Sequence, residues 1–309
     1  MERSFKLKSP KEWTRRDWIK RSAASVAAVG LGCLGYGFAV RDHVEISRVP
    51  VKIANLPDEF AGLTIAQLSD IHHGLYTGLD YINRCVEIVN NLKPELIALT
   101  GDFTYGGKQY IEPCAESLRN LKAAIGVYAA LGNHDYYVGA SRVERALRNA
   151  GLNLLIDAQD RIERRGSKLL IIGVDDLYYG DTDLDRLMRD VPKEGPKIVL
   201  SHNPDFIEEF AVRQQHIDFM ISGHTHGGQI RLPALGAPHI SSSYGQRYAI
   251  GLNRNGSMQV YTTRGIGTVL LPSRFDCPPE ITLYTLERAL GEEGETRGQG
   301  DKERARQGE

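Results

Sequence analysis

Short apolar runs alternate with amphipathic patterns along most of the chain. Leu63–Leu68, Leu96–Leu99 and Val127–Leu131 each have the length and composition of a buried strand. Between the first two runs, apolar residues recur at helical spacing until Pro94 ends the pattern. This spacing predicts a helix with one buried face, formed by Tyr81, Ile82, Cys85, Val86, Val89 and Leu92.

The second half of the chain continues this alternation. The spacing predicts a helix through Ala115, Leu118 and Leu121, and a second around Val143–Ala150. A short helix is expected around Phe206–Ala211. Strands that alternate with helices indicate an α/β sandwich, and no internal repeat or second-domain boundary is visible. Five further strands are predicted, the last two antiparallel: Leu169–Val174, Ile198–Leu200, Phe219–Ile221, Gln259–Thr262 and Ile281–Leu286.

Carboxylate, amide and imidazole side chains follow these strands at the points where the strands end. Asp70 comes directly after the first strand, and Asp102 comes directly after the second. In open α/β sheets, ligands bind beyond the carboxyl ends of the strands, so separate motifs are expected to share one site. Five of the nine histidines lie in these motifs. The motif residues are Asp70, His72, Asp102, Asn133, His134, Asp135, His202, His224 and His226.

This mixture of side chains predicts a site for two divalent metal ions. Two ions about 3.5–4 Å apart require a bridging carboxylate and several terminal ligands. Asp102 is the expected bridge because Gly101 lets the backbone approach closely, and Asn133 supplies a neutral oxygen. His224 and His226 can reach different ions. Such ligands suit Mn, Fe, Zn or Ni, and we expect Mn, with Fe or Zn as alternatives.

Other polar residues are candidates for contact with a substrate. His134 lies beside a ligand, where its imidazole can polarise a phosphate or protonate a leaving oxygen. Asp135 is expected to orient the ring of His134. His73 and Arg264 are candidates for binding the substrate phosphate. A solvated loop histidine and a structural ion pair are the alternatives, and the ion pair is the simpler interpretation for Arg274 as well.

The motif order Asp-x-His, Gly-Asp, Gly-Asn-His-Asp, His and Gly-His-x-His resembles that of the calcineurin-like metallophosphoesterase superfamily. Every motif is present in order across residues 70–226, and the resemblance extends to about residue 286. It implies a four-layer α-β-β-α sandwich of two mixed sheets flanked by helices. It also implies two ligand sets: Asp70, His72, Asp102 and His226 for one ion, and Asp102, Asn133, His202 and His224 for the other.

The resemblance implies a phosphoesterase. We expect hydrolysis of a phosphodiester or diphosphate by a hydroxide that bridges the two ions, with His134 as catalytic acid or transition-state stabiliser. Tyr105 departs from the family pattern, which often has an acidic or amide residue there. Tyr136-Tyr137 and Tyr178-Tyr179 either line the mouth of the site or pack beside it. The alternative of another class is a non-catalytic scaffold that binds metal.

Further segments resemble one bacterial subgroup of exported or membrane-associated phosphodiesterases. These segments are Ser201–Asp205, Gly223–Pro233, Arg264–Thr268 and Pro278–Glu280. Some members of the subgroup act on the lipid-A precursor UDP-2,3-diacylglucosamine. A lipid-linked pyrophosphatase is therefore an alternative to a phosphodiesterase for soluble or cell-wall substrates.

Residues 1–40 have the pattern of a targeting segment. Arg15 and Arg16, the apolar Trp18 and the uncharged stretch 22–40 resemble a twin-arginine export signal. We therefore expect export through the twin-arginine machinery. Cleavage after residues 37–39 and an uncleaved membrane tether both remain open, because nineteen uncharged residues can just span a bilayer.

Charge and cysteine content exclude other classes of protein. Residues 1–39 hold eight of the 38 Lys and Arg but three of the 39 Asp and Glu, which leaves the rest at −6. So acidic a domain is poorly suited to nucleic acid, and we expect none as a partner. The four cysteines include no Cys-x-x-Cys pair, which argues against a zinc finger.

We expect three regions: a signal or anchor (1–40), a phosphoesterase domain (41–290) and a charged, disordered tail (291–309).

Overall fold

Two six-stranded mixed sheets pack face to face, and helices cover their outer faces. The computed structural model describes residues 14–192 and 194–289. Apolar side chains fill the space between the sheets and the space between each sheet and its helices. The α-β-β-α sandwich that the sequence predicts is confirmed.

Parallel strands form the centre of the first sheet. In spatial order its strands are β1 (Glu45–Ile53), β12 (Glu280–Arg288), β2 (Thr64–Leu68), β3 (Leu96–Thr100), β4 (Gly126–Ala130) and β5 (Asn153–Leu154). Strands β2 to β5 are parallel, whereas β12 is antiparallel to β2 and parallel to β1. The carboxyl ends of β2, β3 and β4 therefore meet at one edge.

The second sheet repeats this arrangement. Its strands are, in spatial order, β10 (Gly251–Asn255), β11 (Met258–Thr262), β9 (Phe219–Ser222), β8 (Lys197–Leu200), β7 (Ser167–Gly173) and β6 (Ala158–Arg164). The inner four strands are parallel, and β10 and β6 are antiparallel to their neighbours. Because β11 and β12 each have one parallel neighbour, the antiparallel pairing predicted for them holds on one side only.

Helices α2, α3 and α5 pack on the first sheet, and α6 and α7 pack on the second. The predicted buried face of α2 is confirmed, with Cys85 at its centre. Lys93 ends α2 in the left-handed conformation, directly before Pro94. The α-helices of the described residues are α1 (Arg15–Val40), α2 (Leu79–Leu92), α3 (Ile111–Leu118), α4 (Asn133–Val138), α5 (Ala140–Asn149), α6 (Leu184–Arg189) and α7 (Phe206–Val212).

A buried amide links the two sheets. Gln67 on β2 donates to Thr100 Oγ1 on β3 at 2.7 Å and to the carbonyl of Ser222 on β9 at 3.0 Å. The Tyr284 hydroxyl on β12 donates to Gln67 Oε1. A buried amide is costly unless it is hydrogen-bonded, so this network favours one offset between the sheets.

Helix α1 contains most of the predicted export signal, and its end contacts the folded domain. The backbone N–H of Arg274 donates to the carbonyl of Gly37 at 3.1 Å. The ring of Tyr36 packs edge-on against Phe275, with 5.6 Å between ring centroids. Within the described residues, no helix is both long enough and apolar enough to cross a membrane. The predicted tail, 291–309, lies outside the described residues.

Candidate metal centre

Five parallel strands from the two sheets bring the predicted ligands to one place. Each strand is followed within a few residues by at least one ligand, so both sheets contribute to the cluster. All seven side chains are buried except that of His224, which is half-buried. The ligands are Asp70 and His72 after β2, Asp102 after β3, Asn133 after β4, His202 after β8, and His224 and His226 after β9.

One group of donor atoms surrounds the Nε2 atoms of two stacked imidazoles. His72 Nε2 and His226 Nε2 lie 3.0 Å apart. Asp70 Oδ1 lies 3.4 Å from His226 Nε2, and Asp102 Oδ2 lies 3.4 Å from His72 Nε2. These four residues are the first ligand set that the family resemblance implies.

A second group lies on the other side of Asp102. His202 Nε2 is 3.2 Å from Asp102 Oδ2 and 3.1 Å from Asn133 Oδ1. His224 Nδ1 is 3.0 Å from Asn133 Oδ1 and 3.1 Å from His202 Nε2. The same carboxylate oxygen of Asp102 thus faces an imidazole from each group, which suits a carboxylate that bridges two ions through one oxygen.

The chemistry of these donors fits divalent metal ions. Burial lowers the pKa of His72 to about 3, and burial beside His72 lowers the pKa of His226 well below its usual range. Both rings are therefore neutral and can offer lone pairs. Two such nitrogens 3.0 Å apart are spaced like neighbouring ligands on one ion, with metal–nitrogen bonds of about 2.1 Å.

Without a metal ion, His202 keeps a proton on each ring nitrogen. Its Nδ1 lies 2.8 Å from the carbonyl of Thr100, and its Nε2 faces Asp102. Burial alone would lower the pKa of His202, but the charge and hydrogen bond of Asp102 and the charges of Asp70 and Asp176 together outweigh burial and raise the pKa to about 10. The carbonyl fixes the proton on Nδ1, so a metal ion would replace the proton on Nε2.

The two ligand carboxylates differ in their affinity for protons. Burial, aided by the charge of Asp102, raises the pKa of Asp70 to about 6. Burial also acts to raise the pKa of Asp102, but the interactions with His202, His72 and His134 together outweigh burial and lower this pKa well below its usual range. Asp102 is therefore an anion before any metal ion binds.

Five of the ligands adopt a backbone conformation that side chains normally avoid. The φ angles are 51° for Asp70, 49° for His72, 57° for Asp102, 71° for His224 and 51° for His226. Each residue held in this left-handed region costs about 1–3 kcal/mol, and such strain concentrates at functional sites. No sequence pattern indicated this feature.

Two glycines let the loops after β3 and β4 come together. A Cβ on Gly101 would lie 2.5 Å from the backbone nitrogen of Gly132, and a Cβ on Gly132 would lie 2.4 Å from Asp102 Oδ1. Neither contact leaves room for a side chain. The predicted close approach at Gly101 is therefore present, and the Gly-Asp and Gly-Asn motifs require each other.

The structure corrects the role predicted for Asp135. Its carboxylate accepts the backbone N–H groups of Asp102, Phe103 and Gly132, each at 2.9 Å. These bonds occupy both oxygens, so Asp135 positions the backbone of Asp102 rather than the ring of His134. Asp135 is residue N3 of α4, with Gly132 as N-cap, and a carboxylate at N3 commonly bonds back to the cap.

His134 lies at the opening of the ligand cluster. Its backbone N–H donates to Asp102 Oδ1 at 2.8 Å, and its ring is half-buried. The ring centroid is 4.9 Å from that of His72 and 5.2 Å from that of Tyr105. Tyr105, the departure from the family pattern, thus lies where it can contact a bound substrate.

The sequence matches known metallophosphoesterases over most of its length. The family model for calcineurin-like phosphoesterases matches residues 63–228. The uncharacterized metallophosphoesterase YkuE of Bacillus subtilis (strain 168) is 33% identical over 285 residues, 90% of this chain and 99% of that protein. The phosphodiesterase YaeI of Escherichia coli (strain K12) is 30% identical over 283 residues, 88% of this chain and 99% of that protein. The chain belongs to the calcineurin-like phosphoesterase family.

This metallophosphoesterase is a metal-dependent phosphoric ester hydrolase, as the motif order predicts.

Two residues predicted to bind its substrate have structural contacts instead. The ring of His73 is buried against Tyr110, and its Nδ1 lies 2.9 Å from the carbonyl of Thr77. Arg264 forms ion pairs with Glu280 at 3.2 Å and Glu45 at 3.1 Å. The alternative given for Arg264, a structural ion pair, is the one that its contacts show.

Arg274 is buried behind a metal ligand of the phosphoesterase. Its guanidinium donates to the backbone carbonyls of Gly265, Gly267 and Cys277, and its Nη2 lies 3.4 Å from His226 Nδ1. Arg274 forms no ion pair with a carboxylate of the described residues, so the ion pair predicted for it is not found there. Its contacts support the loop behind His226.

Metal binding to the phosphoesterase is expected to release protons. At pH 8, His202 should lose about one proton per protein, because its pKa of about 10 keeps Nε2 protonated until metal arrives. Below about pH 6, Asp70 also holds a proton, so metal affinity should fall as the pH drops through 6. Calorimetric titration of the metal-free full chain with Mn²⁺, in two buffers of different ionisation enthalpy, measures the release. The variant His202→Gln should release about one proton fewer at pH 8, and unchanged release in this variant would contradict the assignment.

Proposed function

We propose that this chain hydrolyses phosphodiesters with two divalent ions, for which Mn²⁺ is the expected metal. Two ligand sets that share Asp102 would hold these ions. One observation carries the proposal: Asp102 Oδ2 lies 3.4 Å from His72 Nε2 and 3.2 Å from His202 Nε2. An anionic oxygen between imidazoles of two clusters suits a bridging ligand. The similarity to YaeI, named a phosphodiesterase, supports diesters over monoesters.

The residues around the ions prepare the site for an anionic substrate. When bound, the ions activate a water molecule and hold the phosphate oxygens. Asp102 Oδ1 is fixed by the backbone N–H of His134, which keeps the bridging carboxylate from turning. Asn133 contributes a neutral oxygen, and the neutral rings of His72 and His224 add no negative charge. Repulsion of the phosphate is therefore limited.

His134 is the side chain placed to act on the substrate. Burial, opposed by the charge of Asp102, lowers the pKa of His134, so the free enzyme favours the neutral ring. A bound phosphate adds negative charge beside this ring and favours its protonation. The cationic ring can then protonate the leaving oxygen.

Replacing His134 should separate catalysis from metal binding. His134→Ala should retain both ions and lower kcat by about 10²- to 10⁴-fold. Asp102→Asn should lose metal as well as activity, because an amide is a poor bridge. The assay is Mn²⁺-dependent hydrolysis of bis(p-nitrophenyl) phosphate by the full chain, with p-nitrophenyl phosphate alongside and metal content measured by mass spectrometry.

His216→Ala is the matched control, because its side chain is 53% exposed beside Asp218. Normal turnover by His134→Ala would overturn the role of His134. Full metal occupancy in Asp102→Asn would overturn the bridge. Absence of turnover with either ester, in protein that holds two ions, would overturn the proposed function.

A lipid-linked diphosphate is a second candidate substrate, favoured by exposed leucines on two loops. Leu235 and Leu270 each expose 78% of their surface. Gln229, three residues after His226, joins the loops by donating to the carbonyl of Leu271 at 3.0 Å. The end of α1 contacts the second loop as well. Apolar side chains in such positions can bind the acyl chains of a substrate.

The double variant Leu270→Gln/Leu271→Gln tests this second candidate. Hydrolysis of an acylated diphosphate in phosphatidylglycerol vesicles should fall about 5- to 10-fold, because the apolar contact is lost. Hydrolysis of bis(p-nitrophenyl) phosphate should not change. Val212→Gln on α7 is the control, since Val212 is 76% exposed. Equal rates on the vesicles for all three proteins would exclude a role for these leucines.

We also propose that the twin-arginine machinery exports this phosphoesterase. Arg15, Arg16 and the uncharged stretch 22–40 support this proposal. That route carries folded proteins, which suits a site that must collect metal first. Arg15→Lys/Arg16→Lys should keep the chain in the cytoplasm when a bacterial host is fractionated, whereas Lys20→Arg should not. An unchanged distribution of the double variant would contradict the proposal.

A further inference from the structure

Four tyrosines surround the opening of the metal centre. Tyr105 is half-buried, whereas Tyr137, Tyr178 and Tyr179 expose 59%, 50% and 48% of their surfaces. We call Tyr105, Tyr137, Tyr178 and Tyr179 the tyrosine rim. Clustered apolar surface that remains exposed is typical of an interaction site.

The tyrosine rim contacts both ligand sets. The ring centroid of Tyr105 lies 5.7 Å from that of His72, which belongs to the first ligand set. The ring of Tyr178 lies 6.0 Å from the ring of His224, in the second set. Tyr137 packs edge-on against His134 at 5.2 Å. A group attached to a phosphate at the metal centre would therefore meet these rings.

Hydrogen bonds hold the exposed rings in place. The hydroxyls of Tyr137 and Tyr179 are 2.6 Å apart, and their rings are 4.9 Å apart at an angle of 70°. Asp176 Oδ1 accepts the backbone N–H groups of Tyr178 and Tyr179, each at 3.0 Å. The rim is therefore anchored from both the α4 side and the segment after β7.

Two buried aspartates support this anchoring. Asp175 accepts the hydroxyl of Tyr136 at 2.6 Å and the backbone N–H of Asp176 at 2.8 Å. Asp176 is 2% exposed, and its Oδ2 has no hydrogen-bond partner among the described residues. Burying carboxylates is costly, yet here they position rings that remain in solvent. Such preorganisation lowers the cost of binding a ligand.

We propose that the tyrosine rim binds a flat, uncharged ring in the organic part of the substrate, such as a nucleobase or an aryl group. The proposal rests on the proposed function, because the phosphate must lie at the metal ions. Tyrosine faces stack on flat rings of many kinds. The negative charge of Asp175 and Asp176 beneath the rim disfavours a second phosphate there. The tyrosine rim therefore favours diesters whose organic group contains a flat, uncharged ring over diesters without one.

Three diesters with one leaving group test this selection. They are the 2,2,2-trifluoroethyl esters of thymidine 5′-phosphate, benzyl phosphate and methyl phosphate, so the leaving group carries no flat ring and its release is followed by fluorine NMR. With Mn²⁺ and the full chain, the ring-bearing esters should exceed the methyl ester in kcat/KM by about 5- to 100-fold, mainly through KM. A higher value for the thymidine ester than for the benzyl ester would indicate a nucleobase, and the reverse an aryl group.

Variants of Tyr178 test whether the tyrosine rim causes the preference for ring-bearing esters. Tyr178→Ala should reduce the ratio of kcat/KM between ring-bearing and methyl esters to about one, and Tyr178→Phe should keep it, because stacking needs no hydroxyl. Tyr244→Ala is the matched control, since Tyr244 is 44% exposed and contacts Tyr248 instead. Thymidine without phosphate should inhibit hydrolysis of the methyl ester, and Tyr178→Ala should weaken this inhibition.

The outcomes separate the rim from the proposed function. Equal kcat/KM for all three esters in the unmodified chain would overturn the rim proposal while the phosphodiesterase stands. An unchanged ratio in Tyr178→Ala, with a melting temperature matching the unmodified chain, would overturn it too. If Tyr178→Ala does not fold, Tyr178→Leu replaces it. Failure to hydrolyse any of the three esters would instead count against the proposed function.

Discussion

The candidate metal centre depends on one buried carboxylate that is not among its predicted ligands. Asp135 accepts backbone N–H groups from Asp102 and Phe103 after β3 and from Gly132 after β4. Hydrogen bonds to a charged acceptor are about twice as strong as neutral ones, so these three draw the loops together. Burial and the charge of Asp102 raise the pKa of Asp135 to about 7, so the charged acceptor that makes these bonds strong predominates above about pH 7. The bridging carboxylate and Asn133 stand on the two loops so joined.

The left-handed backbone of the predicted ligands adds to the free-energy cost of forming this site. Asp70 and His72 are left-handed, yet their N–H groups donate to the carbonyls of Gly101 at 3.1 Å and Asp102 at 2.9 Å. His224 is also left-handed, and its N–H donates to the carboxylate of Asp70 at 2.9 Å. Each strained turn is thus held by a neighbouring loop. Metal binding can then use ligands that are already in place, which lowers its entropic cost.

The sequence predicted which side chains lie together better than it predicted the contacts that support them. A parallel strand fixes where the next residues emerge, so Asp102 and His202 could be assigned from the apolar runs before them. A carboxylate such as Asp135 has several possible partners, and only the packing of the loops selects backbone N–H groups. The same limit applies to His73, whose place beside His72 suggested chemistry. Edge strands such as β1 were missed, because Glu45–Ile53 mixes charges with apolar residues and includes a proline.

The residues that support the predicted metal ligands and those that form the tyrosine rim lie on the same elements but face opposite sides of them. Helix α4 begins with the ligand Asn133, turns Asp135 toward the interior and carries Tyr137 on its exposed side. The segment after β7 contains none of the predicted ligands, yet Asp176 holds Tyr178. A change at Tyr137 or Tyr178 therefore alters the rim without touching the hydrogen bonds that fix Asp102. A fold arranged in this way can change the organic group it accepts while its metal chemistry stays the same.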